Sequence, residues 1–408
     1  MAWRKPPRSL ESRSGSRVRP GGVLVDAFFF IILFLVFALR HSFQHDPGLS
    51  TAGSAPQFER AWEHQAGAGS QAWFDADSPG VFLVEPEAEG LKWKEIDAAG
   101  RETAVGVFPR GAGTFKAQGS QVAIWDPGPG RLDLFEKGEH QWMVQYQASI
   151  AALYLSRYGT LINYQEANPE AGASAHEGPR EGLLFLDPGG KRMWEKNLQK
   201  GVFLTAAFSP GGTRVAVSIL PDPGSEVTQV VVYDLAGSEI YEYFHYGGLV
   251  QGLVFSSEAS LVLASAGEVV KLGPGGEVEW SLRTEAWIRD LVPKPGSGLI
   301  ALGLSFPSLL ARFLPVHRGA VAVITPGGKV LWRRDTPGEV RDLAWTGDHL
   351  AVGTDKGLTL YGPRGQGYTL EGMGPVLRVV SGPGGDYLLV EEARGQILLL
   401  RKKGLEPG

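Results

Sequence analysis

The 408-residue chain contains no cysteine. This absence excludes disulfide bonds, thiolate metal sites, attached c-type haem and a lipid-bearing cysteine. Several catalytic motifs are also absent from the sequence: it has no HExxH pair, no P-loop, no nucleophile elbow and no G-x-G-x-x-G run that opens a helix. The sequence therefore indicates a protein that is not an enzyme, with no candidate catalytic, cofactor-binding or metal-binding residue.

Acidic residues outnumber basic ones outside the N-terminus. The first 22 residues carry six basic side chains and one acidic one, a net charge of +5, whereas the whole chain carries −5, so the remainder carries −10. Nucleic-acid binding requires clustered Lys and Arg. An acidic body therefore argues against nucleic acid as a partner.

Residues 23–39 (VLVDAFFFIILFLVFAL) form an apolar run in which Asp26 is the one charge. At about 1.5 Å per residue, a helix of this length spans most of a ~30 Å hydrocarbon core. Basic residues precede the run and few follow it, which places the N-terminus in the cytoplasm. We predict a basic cytoplasmic tail (1–22), a transmembrane signal-anchor helix (23–39) and a flexible tether (40–56).

This anchor predicts a location in the inner (cytoplasmic) membrane, with the body of the chain extracytoplasmic and, in a Gram-negative bacterium, periplasmic. A cleaved signal peptide is the alternative, because the apolar part of the run is short enough for one. However, Arg40-His41-Ser42-Phe43 follows the run in place of a small-x-small cleavage site.

Glycine is abundant, with 56 residues, and proline contributes 27. Spread among β-branched and aromatic runs, this composition is typical of an all-β chain with many tight turns. A turn that ends in Gly is followed four residues later by an aromatic residue in five places: Gly138/Trp142, Gly190/Trp194, Gly237/Tyr241, Gly276/Trp280 and Gly328/Trp332. In Asp187-Pro-Gly-Gly190 we expect Pro to fix φ at the second turn position and Gly to supply positive φ at the third.

Including weaker copies at Gly100 and Gly365, these turns recur about every 44 residues, close to the ~40–50 of propeller blades. A further turn, Arg401-Lys-Lys-Gly404, has almost no chain after it, while residues 57–64 form an unpaired strand-like run containing Trp62. We therefore predict an eight-bladed β-propeller over residues 57–404, with seven blades as the alternative and 405–408 as a tail. Residues 57–64 should complete the last blade and so remove exposed sheet edges.

Two segments resemble known repeats. Phe208-Ser-Pro-Gly-Gly-Thr-Arg-Val-Ala-Val resembles the second-strand region of WD40-type repeats, and Phe185-Leu-Asp-Pro-Gly-Gly-Lys-x-x-Trp194 resembles the PQQ-like repeat of quinoproteins and of BamB-type assembly lipoproteins. The resemblance covers roughly residues 57–404 and implies the fold, not a function. The chain lacks the Gly-His and Trp-Asp dipeptides of WD40 repeats and the lipid-bearing Cys of the lipoproteins.

Three long loops, 166–181, 220–229 and 305–319, fall at the same place in their units, so they should lie on one face. The third is apolar with basic residues among the apolar ones, and its partner-binding candidates are Phe306, Leu309, Leu310, Arg312, Phe313 and His317. The alternative is a short helix folded over the surface of the propeller itself.

Arg289-Asp290-Leu291 and Arg341-Asp342-Leu343 lie on predicted innermost strands. With them, the candidates for a charged axial channel are Gln251, Arg289, Asp290, Arg341, Asp342 and Arg378. The alternative is a set of ion pairs and hydrogen bonds between blades.

Together these features predict a membrane-anchored, extracytoplasmic β-propeller that acts as a non-catalytic scaffold, requires no cofactor and binds envelope or membrane proteins, with the lipid bilayer contacted through residues 23–39. Two alternatives remain open at this point: a quinoprotein-type oxidoreductase, and a sensor that binds a small ligand such as a sugar or peptide.

Overall fold

The computed structural model describes residues 58–74, 80–88, 90–108, 114–126, 128, 130–166, 180–198, 201–222, 224–306 and 319–403. The predicted tail, membrane-spanning helix and tether (1–56) lie outside these residues. Within the described ranges, no helix has the length and apolar character needed to cross a membrane.

The described residues form 32 strands and one short 3-10 turn, Pro383–Gly385. The first sixteen strands are β1 Phe58–Gln65, β2 Gln71–Phe74, β3 Val81–Glu87, β4 Gly90–Ile96, β5 Glu102–Val107, β6 Thr114–Gln118, β7 Gln121–Trp125, β8 Gly130–Glu136, β9 Glu139–Tyr146, β10 Ser149–Ser156, β11 Gly159–Glu166, β12 Arg180–Leu186, β13 Arg192–Asn197, β14 Val202–Phe208, β15 Arg214–Leu220 and β16 Thr228–Asp234. The others are β17 Glu239–His245, β18 Gly252–Phe255, β19 Leu261–Ala264, β20 Glu268–Leu272, β21 Val278–Arg283, β22 Trp287–Pro293, β23 Ile300–Ser305, β24 Gly319–Ile324, β25 Val330–Thr336, β26 Val340–Thr346, β27 His349–Thr354, β28 Gly357–Tyr361, β29 Gly367–Thr369, β30 Val376–Ser381, β31 Tyr387–Glu392 and β32 Gln396–Lys402.

These strands form eight four-stranded antiparallel sheets, which we call blades. Blades 1 to 7 each use four consecutive strands, from β2–β5 in blade 1 to β26–β29 in blade 7. The first strands of neighbouring blades contact one another around a central axis, and β2 of blade 1 contacts β30 of blade 8, so the ring is closed. The prediction of eight blades is confirmed, and the seven-bladed alternative is excluded.

Blade 8 is completed by the start of the propeller, as predicted. Its strand order is β1-β32-β31-β30, so the N-terminal strand is the outermost one. Strand β1 pairs antiparallel with β32 from Phe58↔Lys402 to Gln65↔Gln396, and Trp62 lies opposite Leu399. The first and last segments of the ring are therefore held together in one sheet.

The core lies between the blades. The second and third strands of blade 6, β23 and β24, are buried at every residue. A strand in this position has a neighbouring blade against each of its faces, so its sequence is continuously apolar or small (IALGLS and GAVAVI) rather than alternating. The outermost strand of the same blade, β25, is largely exposed.

The hairpin turn between third and fourth strands differs from the expectation in one respect. In Asp187-Pro-Gly-Gly190 the positive φ, +80°, belongs to the fourth residue, Gly190, and not to the third. The Gly190 N–H donates to the Asp187 carbonyl at 2.9 Å, and the Asp187 N–H donates to the Lys191 carbonyl at 2.9 Å. This is a three-residue hairpin with a Gly bulge, whose twist matches the flanking strands better than the expected type II turn does.

In six blades the aromatic residue of the fourth strand packs against the turn glycine of the next blade. A Cβ added to Gly190 of blade 3 would lie 2.6 Å from the ring of Trp142 of blade 2. The same contact between a fourth-strand aromatic residue and a glycine of the next blade occurs at Trp62/Gly100, Trp194/Gly237, Tyr241/Gly276, Trp280/Gly328 and Trp332/Gly365. The Trp142 indole N–H also donates to the Pro188 carbonyl at 2.9 Å. The repeat spacing therefore encodes contacts between blades as well as turns within them.

Substituting Gly190→Ala should lower the free energy of unfolding by about 2–4 kcal/mol, because it combines overpacking with backbone strain. The added methyl would collide with the buried Trp142 ring, and φ at this position is +80°. Gly296→Ala is the matched control, since its φ is +71° and nothing lies within 4 Å of the added Cβ. Chemical denaturation of both variants measures the difference; equal losses would show that the Trp142 contact contributes nothing.

Candidate functional site

Two faces of the ring can be distinguished by the loops that they carry. We call the upper face the one that carries the loops between second and third strands and the connections between blades. Contacts such as the Thr284 N–H bond to the Gly267 carbonyl (2.7 Å) and the Glu339 N–H bond to Asp355 Oδ1 (2.7 Å) join these two kinds of loop. The lower face carries the turns between first and second strands.

The three long loops all leave the upper face. They join β11 to β12 in blade 3, β15 to β16 in blade 4, and β23 to β24 in blade 6. Each is a connection between second and third strands, as the sequence predicted. The described strand ends that flank these three loops therefore lie on one face of the ring.

A set of side chains near the axis ties each blade to the next. These side chains occupy the same place on each innermost strand, which we call the ring position. From blade 1 to blade 8, the residues at the ring position are Gln71, Lys116, Ala152, Thr205, Gly252, Asp290, Asp342 and Arg378. Acceptors there bind a backbone N–H of the following blade: Gln71 Oε1 accepts from Ala117 at 3.3 Å and Asp342 Oδ2 from Val379 at 2.6 Å.

Donors at the ring position bind a backbone carbonyl of the following blade instead. Lys116 Nζ donates to the Leu153 carbonyl at 2.7 Å, and Arg378 donates to the Ala72 carbonyl at 3.3 Å. An innermost strand is a sheet edge, so its axis-facing backbone groups have no ladder partner and need another one. The ring position supplies these partners.

The two acids of the ring position lie against each other. Asp290 Oδ1 accepts from the Leu291 N–H at 2.8 Å, and Asp290 Oδ2 is buried. Burial also raises the pKa of Asp290, although hydrogen bonds from the Leu291 and Leu343 N–H groups act to lower it. Burial, reinforced by the neighbouring Asp290 charge, raises the pKa of Asp342 to about 7.

The six axial-channel candidates separate into two groups. Asp290, Asp342 and Arg378 occupy the ring position and bind between blades. Each follows a β-bulge in its strand, whose extra residue is Arg289, Arg341 or Leu377. Arg289 and Arg341 are exposed at the upper face, where both form ion pairs with Glu339, at 3.5 and 3.2 Å. Gln251 is also exposed, directly before β18.

A cavity of about 990 Å³ lies on the axial side of blades 8, 1, 2 and 3. It reaches the lower face, where Gly119 and Pro383 lie in turns between first and second strands. Lys116 and Arg378 line it together with aromatic side chains that include Trp73 and Tyr154. Arg378 lies over the Trp73 ring at 4.3 Å from its centroid, and the Lys116 ammonium lies 4.7 Å from that of Tyr154.

Large apolar side chains are exposed at several places on the upper face. Trp287 is 51% exposed, and the Arg289 guanidinium lies 5.7 Å from its ring centroid. Leu377, the bulge residue of blade 8, is also 51% exposed, and Tyr246 in the connection from blade 4 to blade 5 is 79% exposed. We call Tyr246, Trp287, Arg289, Arg341 and Leu377 the upper-face patch.

Of the partner-binding candidates in the third long loop, only Phe306 belongs to the described residues. It is partly buried against the core of blade 6, and the Arg333 guanidinium lies 5.4 Å from its ring centroid. The loop therefore begins folded onto its own blade. Leu309, Leu310, Arg312, Phe313 and His317 lie outside the described residues.

Solved structures with the same arrangement of blades identify the fold. The C-terminal WD40 domain of Sif2 superimposes with a TM-score of 0.59 at 12% identity, over 86% of this chain and 100% of that one. Sqt1 of Saccharomyces cerevisiae gives 0.56 at 12% identity, over 80% and 94%. BamB from Moraxella catarrhalis gives 0.50 at 15% identity, over 83% and 100%.

The fold is an eight-bladed, WD40-like β-propeller. At these identities the likeness concerns the fold alone. No protein-family model and no curated protein matches the sequence.

The axial cavity of this propeller contains residues that sequence reasoning missed: Trp73, Lys116 and Tyr154. Lys116 could have been found by aligning the innermost strands, since it shares the ring position with Asp290, Asp342 and Arg378. Sequence reasoning also missed Trp287, because nothing in the sequence distinguishes an exposed Trp at the start of an innermost strand from a packed one. Among the described side chains, no three His, Asp or Glu lie together in a way that could hold a metal ion.

Proposed function

We propose that this chain is a non-catalytic, protein-binding propeller of the cell envelope, anchored by residues 23–39 with the propeller extracytoplasmic, and that the upper-face patch docks its partner. The observation that carries the proposal is the half-exposed Trp287, which has the Arg289 guanidinium 5.7 Å from its ring centroid and pairs with Ser305 at the start of the third long loop. Trp, Tyr and Arg are the residues enriched at the energetic centre of protein interfaces, and the patch contains all three.

Contacts within the patch support a preformed surface. Glu339 joins Arg289 of blade 6 to Arg341 of blade 7, so both guanidinium groups are held in place before a partner arrives. Trp287 pairs with Ser305, two residues before the undescribed part of the third long loop. A partner that covers Trp287 would therefore also meet that loop, where the sequence predicts apolar contacts.

A photoreactive residue in place of Trp287 tests the proposal in intact cells. We expect ultraviolet light to join the propeller to one protein that itself has an extracytoplasmic domain. The same residue at Val278 is the control, because Val278 is equally exposed (50%) but lies on β21, the outermost strand of blade 5. Equal crosslinking to that protein from both positions would refute docking on the upper face.

The contribution of Trp287 to binding can be measured from the affinity of a variant for the recovered partner. Trp287→Ala should weaken binding by at least about 30-fold, the effect of losing a residue worth about 2 kcal/mol at an interface. The melting temperature should change little, since Trp287 is half exposed. Full affinity in the Trp287→Ala variant would place the binding site elsewhere.

A further inference from the structure

The axial cavity has an unusual balance of charge. Among the described residues that line it, the charged ones are Lys116 and Arg378, and both are cations. The nearest acids, Asp342 and Glu391, influence Arg378 from outside the lining. In a chain whose body carries a net negative charge, the cavity is thus a local positive site.

Lys116 is the less compensated of the two cations. Its ammonium donates to the Leu153 carbonyl and lies over the Tyr154 ring, and no carboxylate of the described chain lies within ion-pair distance. Burial lowers the pKa of Lys116, and the positive charge of Arg378 lowers it further. The two like charges therefore repel each other in a partly desolvated place, which disfavours the empty cavity unless an anion enters.

The walls of the cavity suit an organic ligand. Trp73, Phe115 and Tyr154 provide flat apolar surface next to the two cations. A volume of about 990 Å³ is at the upper end of the usual range for small-molecule pockets and far larger than an inorganic ion requires. Two cations flanked by aromatic rings match two carboxylates on a compact carbon skeleton.

We propose that the axial cavity binds a small organic dicarboxylate, with one carboxylate on Lys116 and the other on Arg378. No residue that lines this cavity belongs to the upper-face patch. The two functions can therefore fail independently.

Calorimetric titration of the full chain with phthalate, an aromatic dicarboxylate, tests the proposal at low ionic strength. We expect saturable binding of one phthalate per chain, and weaker binding of its monoamide and of inorganic phosphate. Lys116→Met should reduce the affinity by about ten- to hundredfold, the effect of losing one charge-assisted hydrogen bond. Arg378→Lys keeps the charge and should retain measurable binding.

A matched control is Lys294→Met. Lys294 also lies over an aromatic ring, that of Trp345 at 5.4 Å, but it has a carboxylate partner, Asp348, at 2.7 Å. Lys294→Met should bind phthalate as the unmodified chain does. In the ligand-free state Lys116→Met loses the hydrogen bond to the Leu153 carbonyl but also the repulsion from Arg378, so its melting temperature should change little.

Three outcomes would overturn the assignment. The first is that the unmodified chain shows no saturable binding at millimolar phthalate. The second is that Lys116→Met binds phthalate with unchanged affinity. The third is that inorganic phosphate binds as tightly as phthalate, which would indicate a general anion site in place of one for organic dicarboxylates.

Discussion

A chain that begins at Ala66, and so lacks β1, is expected to lose its cooperative unfolding transition and to self-associate. Removing β1 takes away all seven of its residue pairs with β32 and frees the edge of a strand whose Leu398 and Leu399 are buried. Losing Trp62 from its packing against Gly100 is alone comparable to truncating a core Trp, about 3–5 kcal/mol. That is a large fraction of a typical total stability of about 5–15 kcal/mol.

The free edge of β32 also offers unpaired N–H and C=O groups to a second copy, which is the usual route from open sheets to aggregates. Calorimetry and light scattering measure the two effects. The control begins at residue 57 and keeps β1, so it should melt cooperatively as a monomer. A monomeric chain from Ala66 with the same melting temperature would show that β1 does not hold the ring closed.

Much of the fold follows from the sequence because its repeated turns have strict local requirements. Only Gly tolerates both the positive φ of the fourth turn position and the aromatic ring of the preceding blade, as at Gly190. The repeat could thus be counted from the glycines, and the unpaired run around Trp62 identified the closing strand. The type of turn was wrong, because Pro188-Gly189 suggests a type II turn when strand twist is left out of account.

The candidate site was less predictable, for a physical reason. Whether a ring-position side chain binds the next blade or faces solvent depends on β-bulges, and a bulge leaves no distinctive residue in the sequence. The one-residue shift at Arg289 places Asp290 between blades and Arg289 on the upper face. Strand β6 has no such shift, and Lys116 is not part of an Arg-Asp-Leu motif. That motif therefore gave no signal that Lys116 lies at the ring position.

The second large effect that we predict is a pH dependence of stability, which arises from the pair Asp290 and Asp342. In the folded chain the pKa of Asp342 is raised to about 7 from an ordinary value near 3.8. Between these two pH values the folded state therefore holds a proton that the unfolded chain has released. Stability must then fall as pH rises through this window, at up to about 1.4 kcal/mol per pH unit.

Asp342→Asn removes this proton linkage while keeping the shape of the side chain. Its amide oxygen can accept from the Val379 N–H, and its NH₂ can donate to the buried Asp290 Oδ2. We expect Asp342→Asn to match the unmodified chain near pH 4 and to exceed its unfolding free energy at pH 8 by on the order of 2–4 kcal/mol.

The unfolding free energies of Asp342→Asn and of the unmodified chain are measured by denaturation from pH 4 to pH 8. Their difference isolates the effect of this acid pair from that of the other titrating groups. Asp335→Asn is the control, because it makes the same chemical change at an exposed position on β25. A difference for Asp342→Asn that is constant with pH would mean that the two carboxyls share no proton. A gain at pH 8 would instead show that the ring retains a buried acid pair at the expense of its own stability.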